Sequence, residues 1–206
     1  MKILLSAGPT LEPIDSVRFI SNRSSGRMGV AIAESALKRG HQVTVVHGKL
    51  EVSHPTEGKW LPIESTQELL DTMLENINDH DVVIMAAAVC DMRLKIKSKG
   101  KIDKKSLRNL ELEPTPDVAY ELSKANSNIF KVAFSLEEEI NIERSMSKLV
   151  KKSADWIVCN ELPSMGSNSS HFFMLNGEGE KIINDIVCSK AEFAESLISA
   201  LENLKR

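Results

Sequence analysis

The sequence predicts an α/β fold: a Rossmann-like parallel sheet with helices on both faces, plus a β excursion carrying a basic mobile loop. Three observations predict it. Apolar runs recur at Ile3–Leu5, Val43–Val46, Val82–Ala86 and Trp156–Cys159, with Lys131–Phe134 a fifth. Runs this short and this apolar read as strands buried on both faces. Helical patterns lie between them, and such alternation calls for right-handed crossovers and parallel pairing. Finally, the first run opens into a long loop of small and hydroxyl-bearing residues that ends at a helix start. Ligands of such sheets sit beyond the carboxyl ends of the strands.

Taken in order, the first strand begins at Lys2 and leads into Ser6–Thr10, then Ile20–Gly29. Backbone N–H groups left over at the following helix start, together with Ser24, Ser25 and Gly26, suit an anion. Gly8, Thr10, Ser24, Ser25, Gly26 and Ala88 are the candidate anion and substrate loop. No G-x-G-x-x-G occurs and the loop is long, which disfavours a plain NAD-binding turn. The helix Gly29–Arg39 stops at Gly40, a natural C-cap. A second helix, Thr66–Ile77, starts behind Ser65 with Glu68 three residues on, the pattern of a capping box. The run Val82–Asp91, VVIMAAAVCD, ends in small residues and an acid. Small residues admit a ligand to the backbone, and Asp91 can accept from ribose hydroxyls. Equally, the alanines can pack against a helix with Asp91 as an ordinary cap.

Residues 92–113 break the rhythm: Leu94, Ile96, Leu107, Leu110 and Leu112 alternate in part around Lys95, Lys97, Lys99, Lys101, Lys104 and Lys105. This reads as short strands flanking a basic loop. Helices follow at Pro116–Lys124 and Glu143–Lys152, then a hairpin of His171–Leu175 and Lys181–Ile186 around Asn176-Gly177, then a last helix, Ser189–Leu204.

Composition narrows the function classes. With 206 residues, 42% of them apolar, the chain suits one domain, 1–206, with 92–113 as its excursion and lid loop. A net charge of −3 and few aromatics give no bulk pull toward nucleic acid. Cys90, Cys159 and Cys188 are scattered, which fits a reducing compartment, and cytoplasm is the expectation. No run approaches the ~20 apolar residues of a membrane span, and Met1 leads straight into a strand, so no membrane association is expected.

The basic loop invites a phosphate-rich ligand, although a solvated charge run would look the same. Lys148 and Lys152, spaced i, i+4 on one helix, make the ligand reading stronger. The five histidines sit at no triad spacing. Glu137–Glu139 can bind magnesium or simply favour a helix N-terminus, and the metal ligands stay unknown. Tyr120 and Lys124 have the Tyr-x-x-x-Lys spacing of a short-chain-type NAD(P) reductase, the runner-up reading; a non-catalytic nucleotide-binding module is a third.

Several motifs in fixed order resemble the phosphopantothenoylcysteine synthetase (phosphopantothenate–cysteine ligase) family, the synthetase domain of the bifunctional coenzyme A biosynthesis flavoprotein. They are SAGPTLEPIDSVRFISNRSSGRMG (residues 6–29), AAAVCD (86–91), KIDKK (101–105), TPDVA (115–119), VAF (132–134) and KLVKKSADWIVCN (148–160). The first is long and specific; the others gain weight from their order. The chain departs from the family pattern at Met92, Ala133 and Glu137-Glu138.

The resemblance implies a ligase that activates the carboxylate of 4′-phosphopantothenate with a nucleoside triphosphate, CTP favoured over ATP, and then transfers the acyl group to L-cysteine. It implies Asn22 in turnover of the acyl-nucleotide, Arg18 in orienting that loop or holding substrate charge, and Lys101 on the triphosphate. It further implies nucleotide contacts from Met85, Ala86, Ala87 and Asp91, from Pro116, Asp117, Val118, Ala119 and Phe134 around base and sugar, and from Lys148 and Lys152 at the phosphates. Mg2+ or another divalent cation and a homodimer through the excursion follow from the same likeness. The flavodoxin-like decarboxylase that often precedes such a domain is not in this sequence, so no FMN is expected, and a separate decarboxylase is a possible partner.

Overall fold

The computed structural model describes residues 1–96, 100–103, 105, 107, 109–138, 141–161 and 169–204. Lys97, Lys99, Lys104 and Glu139 lie outside the described residues. In chain order the elements are β1 (Lys2–Ala7), β2 (Leu11–Pro13), β3 (Phe19–Ser21), α1 (Arg27–Lys38), β4 (Gln42–His47), β5 (Lys59–Pro62), α2 (Thr66–Asn76), β6 (Val82–Met85) and β7 (Met92–Leu94). Then come β8 (Leu112–Pro114), α3 (Val118–Ala125), β9 (Phe130–Glu137), α4 (Ile142–Lys151), β10 (Trp156–Glu161), β11 (Ser169–Asn176), β12 (Lys181–Ser189) and α5 (Lys190–Glu202).

One sheet holds eight strands in the order β12-β11-β10-β9-β6-β1-β4-β5. From β10 to β5 every pairing is parallel, and β11 and β12 add an antiparallel hairpin at one edge. Successive strand side chains point to opposite faces. Ile3, Leu5, Val43, Val45, Val82 and Ile84 accordingly pack with Ile32 of α1 and Leu197 of α5 in one layer. Leu4, Val46 and Val83 pack with Leu69 and Met73 of α2 and Leu122 of α3 in the other. Each such fully buried side chain contributes about 1.5–3 kcal/mol relative to exposure. The α/β, Rossmann-like class expected from the sequence is therefore what the chain forms.

Three local features differ from expectation. β5 completes the parallel sheet although Lys59-Trp60-Leu61-Pro62 is not a pure apolar run; an edge strand is exposed on one side and tolerates a terminal proline. The long first loop contains a hairpin of its own, β2 paired antiparallel with β3. At α2, the Ser65 hydroxyl accepts from Glu68 N at 3.2 Å, but the Glu68 carboxylate takes the N–H of Glu64 at 2.8 Å, so the return bond falls one residue outside the box. A complete capping box forms instead at α5, between Ser189 and Glu192.

The excursion appears as expected, with β7 and β8 antiparallel and Lys95 N bonded to Glu111 O at 3.0 Å. This small sheet lies against β2. Among the described residues no helix is long and apolar enough to cross a membrane.

Candidate functional site

The strand order reverses at β1, which has β4 on one side and β6 on the other, so the loops leaving β1 and β6 diverge and open a crevice between them. A cavity of about 880 Å3 lies there, walled by residues 21–28, Ala86–Ala88, Phe134, Leu136, Asn160 and Lys190. Small residues close its floor. A Cβ on Gly29 would stand 2.4 Å from Ala7 Cβ, so the glycine is what lets α1 lie directly on β1. Gly26 takes a left-handed φ of 76° at the helix start, where a Cβ would meet Leu50 at 2.3 Å.

Ser65, Asp117, Asn141 and Ser189 cap α2, α3, α4 and α5 with side-chain oxygens, whereas no side chain caps α1. Its first-turn N–H groups, with the helix dipole behind them, face the cavity beside Ser24 and Ser25. Arg23, Arg27, Lys49 and Lys190 line the same wall. Burial and the neighbouring Arg27 push the Lys190 ammonium below its ordinary pKa. Sequence reasoning passed over Lys190. The available signal was its place immediately behind the N-cap Ser189, the end of a helix where a cation is electrostatically disfavoured.

Asn22 follows β3 and is exposed at the cavity. Its Nδ2 donates to Val89 O at 2.8 Å and weakly to Ala88 O at 3.4 Å. The N–H groups of Ala86, Ala87 and Ala88 are all taken, by Ser6 O, Ser6 Oγ and Gly8 O. Thr10 does not face the cavity. It is fully buried, its hydroxyl contacts Thr66 Oγ1 at 3.0 Å and accepts from Cys90 N at 2.8 Å, and it thereby ties the β1 loop to the β6 loop. Gly8 supports the same junction through its carbonyl.

A second group gathers along α3, α4 and the end of β9. Burial pushes Lys152 down from its ordinary pKa, while Asp117 and Asp91 draw it back up and Lys148 and Lys151 oppose it. Asp91, Asp117, Lys148 and Lys152 therefore share one local field. Lys148 Nζ is held by Ser135 Oγ at 2.9 Å and by the buried Glu137 at 2.5 Å. Burial disfavours charge on Glu137, but the bonds from Lys148 and Ser135 outweigh it and hold the carboxyl below the usual range. Asp117 also caps α3, accepting from Tyr120 N at 3.2 Å. Val118 and Ala119 are buried against the α2 layer, Pro116 is half-buried, and Phe134 sits in the cavity wall against the edge of Phe193. Met85 packs beneath that wall.

The basic excursion meets the rest of the site at Arg18. Arg18 Nε and Nη2 donate to Asp15 Oδ2 at 3.0 and 2.5 Å, and Nη2 also donates to Ile102 O at 2.8 Å. Lys101, the neighbour of Ile102, is exposed. Tyr120 and Lys124 lie on the surface of α3, with the ammonium 4.1 Å above the ring and paired to Glu121, so they do not enter the crevice. Among the described residues no three His, Cys, Asp or Glu side chains gather as a metal-binding group.

The chain matches the family described as DNA/pantothenate metabolism flavoprotein C-terminal domain over residues 1–204. Among curated relatives, the Coenzyme A biosynthesis bifunctional protein CoaBC of Thermococcus kodakarensis is 34% identical, over 98% of this chain and 51% of that protein. A protein named Cysteine/Cysteine sulfinic acid decarboxylase, from an unknown prokaryotic organism, is 39% identical over 82% of this chain and 48% of its own length. The chain thus spans about half the length of the curated relatives it matches. A crystal structure of the C-terminal domain of CoaBC superposes with a TM-score of 0.82 at 32% identity, covering 98% of this chain and 95% of that one. The DNA/pantothenate metabolism flavoprotein from Streptococcus pneumoniae gives 0.88 at 25% identity, with both chains covered in full.

Proposed function

The chain belongs to the DNA/pantothenate metabolism flavoprotein C-terminal domain family, and from that premise we propose that it is a ligase of coenzyme A biosynthesis, joining 4′-phosphopantothenate to L-cysteine. The carboxylate of 4′-phosphopantothenate attacks the α-phosphorus of CTP, favoured over ATP, and pyrophosphate leaves. The cysteine amine then attacks the acyl carbon, gives up a proton, and the nucleoside monophosphate leaves with the electron pair of the broken acyl–oxygen bond.

The observation that carries this reading is a cavity with one cationic wall and, behind its Phe134, a second charged group, whose Lys152 Nζ lies 3.5 Å from Phe134 O. The uncapped α1 N-terminus with Arg27 and Lys190 suits the phosphate of the acid substrate. The arm of Asp91, Asp117, Lys148 and Lys152 suits the sugar and phosphates of a nucleotide. Ala86–Ala88 lie on the cavity, beside the second group, where the reacting carboxylate and α-phosphate would meet. Asn22 stands at that meeting point. An amide nitrogen carries two hydrogens, so its bond to Val89 O orients the group while the weakly engaged second hydrogen can serve the oxyanion of the acyl intermediate.

Lys101 would reach the triphosphate from the excursion and stabilise charge on the leaving pyrophosphate. A divalent cation would come with the nucleotide phosphates, and Asp91 and Asp117, whose charges act on Lys152, would be available to hold it, since Mg2+ needs only one or two protein carboxylates. Homodimerisation belongs to the same reading: Phe19, Met92 and Leu112 are exposed on the two small sheets, and Val17 in the turn between β2 and β3. So do a cytoplasmic setting, consistent with three free cysteines, and a decarboxylase as the preceding activity.

The test is to incubate the protein with 4′-phosphopantothenate, cysteine, Mg2+ and either CTP or ATP. Pyrophosphate and the amide product are expected. No cysteine-linked product with either nucleotide would overturn the reading, and NADPH binding without triphosphate binding would favour a reductase.

A further inference from the structure

Asp15 is the most heavily bonded carboxylate of the described residues and lies in no part of the machinery assigned above. Its side chain is fully buried in the turn between β2 and β3. Oδ1 accepts from the N–H of Val17 and of Arg18, each at 2.9 Å, which makes the turn. Oδ2 does something else. It accepts from Arg18 Nε at 3.0 Å and Nη2 at 2.5 Å, and also from the backbone N–H of Ile102 at 3.1 Å, 87 residues away. Arg18 Nη2 in turn donates to Ile102 O at 2.8 Å. The pair thus grips both polar edges of a single peptide residue, as a neighbouring β-strand would.

With the Asp15 carboxylate buried and Arg18 one-third exposed, the pair's bonds must first offset the desolvation of the carboxylate, so stability alone does not single out an ion pair here. Such a pair is a good device for fixing register. The hairpin that carries the grip ends at Ser21 and hands the chain directly to Asn22. The residue gripped is the immediate neighbour of Lys101, and adjacent Cα atoms stand about 3.8 Å apart.

Resting on the ligase reading, we infer that Asp15 is a positioning residue: through Arg18 and the Ile102 peptide it fixes where the Lys101 side chain starts, relative to Asn22. Asp15 thereby couples the group that serves nucleotide attack to the group that serves acyl transfer, and it touches neither substrate. A misplacement of about 1 Å costs on the order of 10²-fold in a step that depends on alignment.

Asp15→Asn is the informative substitution. The asparagine carbonyl can keep the turn bonds to Val17 and Arg18, while its NH2 in place of Oδ2 meets donors only. Hydrogen exchange followed by mass spectrometry on the whole chain should show faster exchange in the peptide containing Ile102 and unchanged exchange across β2 and β3. Pyrophosphate release should fall about 10²-fold, while the same preparation turns over acyl-nucleotide made by the unaltered enzyme within about threefold of its normal rate. Arg18→Lys, which cannot fork between Asp15 and Ile102, should give the same exchange signature if Asp15→Asn folds poorly.

Unchanged exchange at Ile102 would overturn the inference. So would equal loss of both half-reactions, the mark of a merely structural staple, or normal pyrophosphate release with a loosened loop. Failure of the ligase reading looks different, since the unaltered enzyme would then release no pyrophosphate while the exchange measurement still reads the grip.

Discussion

The crevice wall and the basic excursion serve one candidate site but are held by opposite means. In the wall, backbone does the holding: Ala88 N bonds Gly8 O at 2.9 Å, Thr10 N bonds Ala88 O at 3.2 Å, and Gly29 lets α1 touch β1. In the excursion, two short strands lead into lysines, and the described contact with the β2–β3 turn is a side-chain grip on Ile102. The difference teaches which chemistry each can perform. Attack on an acyl carbon needs fixed donors, because geometry decides its rate. Stabilising charge on a leaving pyrophosphate needs a cation aimed at it, so the lysine is anchored at its base, through Ile102, and adjustable only along its own stem.

The largest effect should come from the excursion. Lys101→Gln keeps length and polarity but removes the charge, and pyrophosphate release is expected to drop by about 10²–10³-fold, the usual cost of losing one transition-state contact. Thermal unfolding should be unchanged, since Lys101 is exposed. Wild-type formation of acyl-nucleotide in this variant would break the comparison by showing that the excursion supplies no chemistry. On the wall, Asn22→Asp removes the NH2 donor and turns acceptors toward Val89 O and Ala88 O. Amide formation should fall by about 10²-fold with pyrophosphate release largely kept, which a two-stage assay separates. Equal loss of both would place Asn22 in the scaffold.

A stability experiment sharpens the contrast from the other side. In Gly29→Ala the new methyl would start 2.4 Å from Ala7 Cβ, in a packed helix–strand contact that has no flexible end to yield. Overpacking of this kind costs about 1–3 kcal/mol. In a chain of this size that is a fall of roughly 2–12 °C in Tm, read by calorimetry. Gly100→Ala in the excursion, where a Cβ would meet nothing within 4 Å, is the control and should leave Tm in place.

How far the sequence foretold this arrangement follows the same division. The strands β1, β4, β6, β9 and β10 were legible because burial on both faces demands apolar runs, and parallel pairing put any ligand beyond their carboxyl ends; the strand order that opens the crevice at β1 was not. β5 escaped because an edge strand needs no such run, and the β2–β3 hairpin because two three-residue strands are too short to show a period within a long loop. Gly29 reads as an ordinary helix start, because nothing local in the sequence reports that Ala7 lies beneath it. Asp15 was invisible for a stronger reason: half its partners come from residue 102, and no local pattern reports a contact across 87 positions. Thr10 was misplaced for the opposite reason, since a hydroxyl in a loop motif looks like a ligand contact whether it faces a cavity or, as here, joins two strand ends.

The smallest predicted effect concerns Lys152, whose site resembles the wall in being half-buried and the excursion in being cationic. Burial lowers its pKa in the folded protein, with Asp117 and Asp91 offsetting part of the effect and Lys148 and Lys151 adding to it. A lowered value means that the folded state holds this proton less tightly than the unfolded chain, whose lysines titrate near ~10.4. The charged lysine therefore costs stability at every pH below its folded-state value. That cost shrinks as pH rises between the folded and unfolded values and vanishes above both. Lys152→Met removes the charge and keeps the stem, so Tm at pH 7 should rise by about 1–3 °C, with the gain narrowing toward pH 10. Affinity for the triphosphate, measured by calorimetric titration, should fall in the same variant. A lower Tm at pH 7 would show that Asp117 and Asp91 hold the ammonium more strongly than burial disfavours it, and that the helix lysine is structural rather than kept, at a cost in stability, for its ligand.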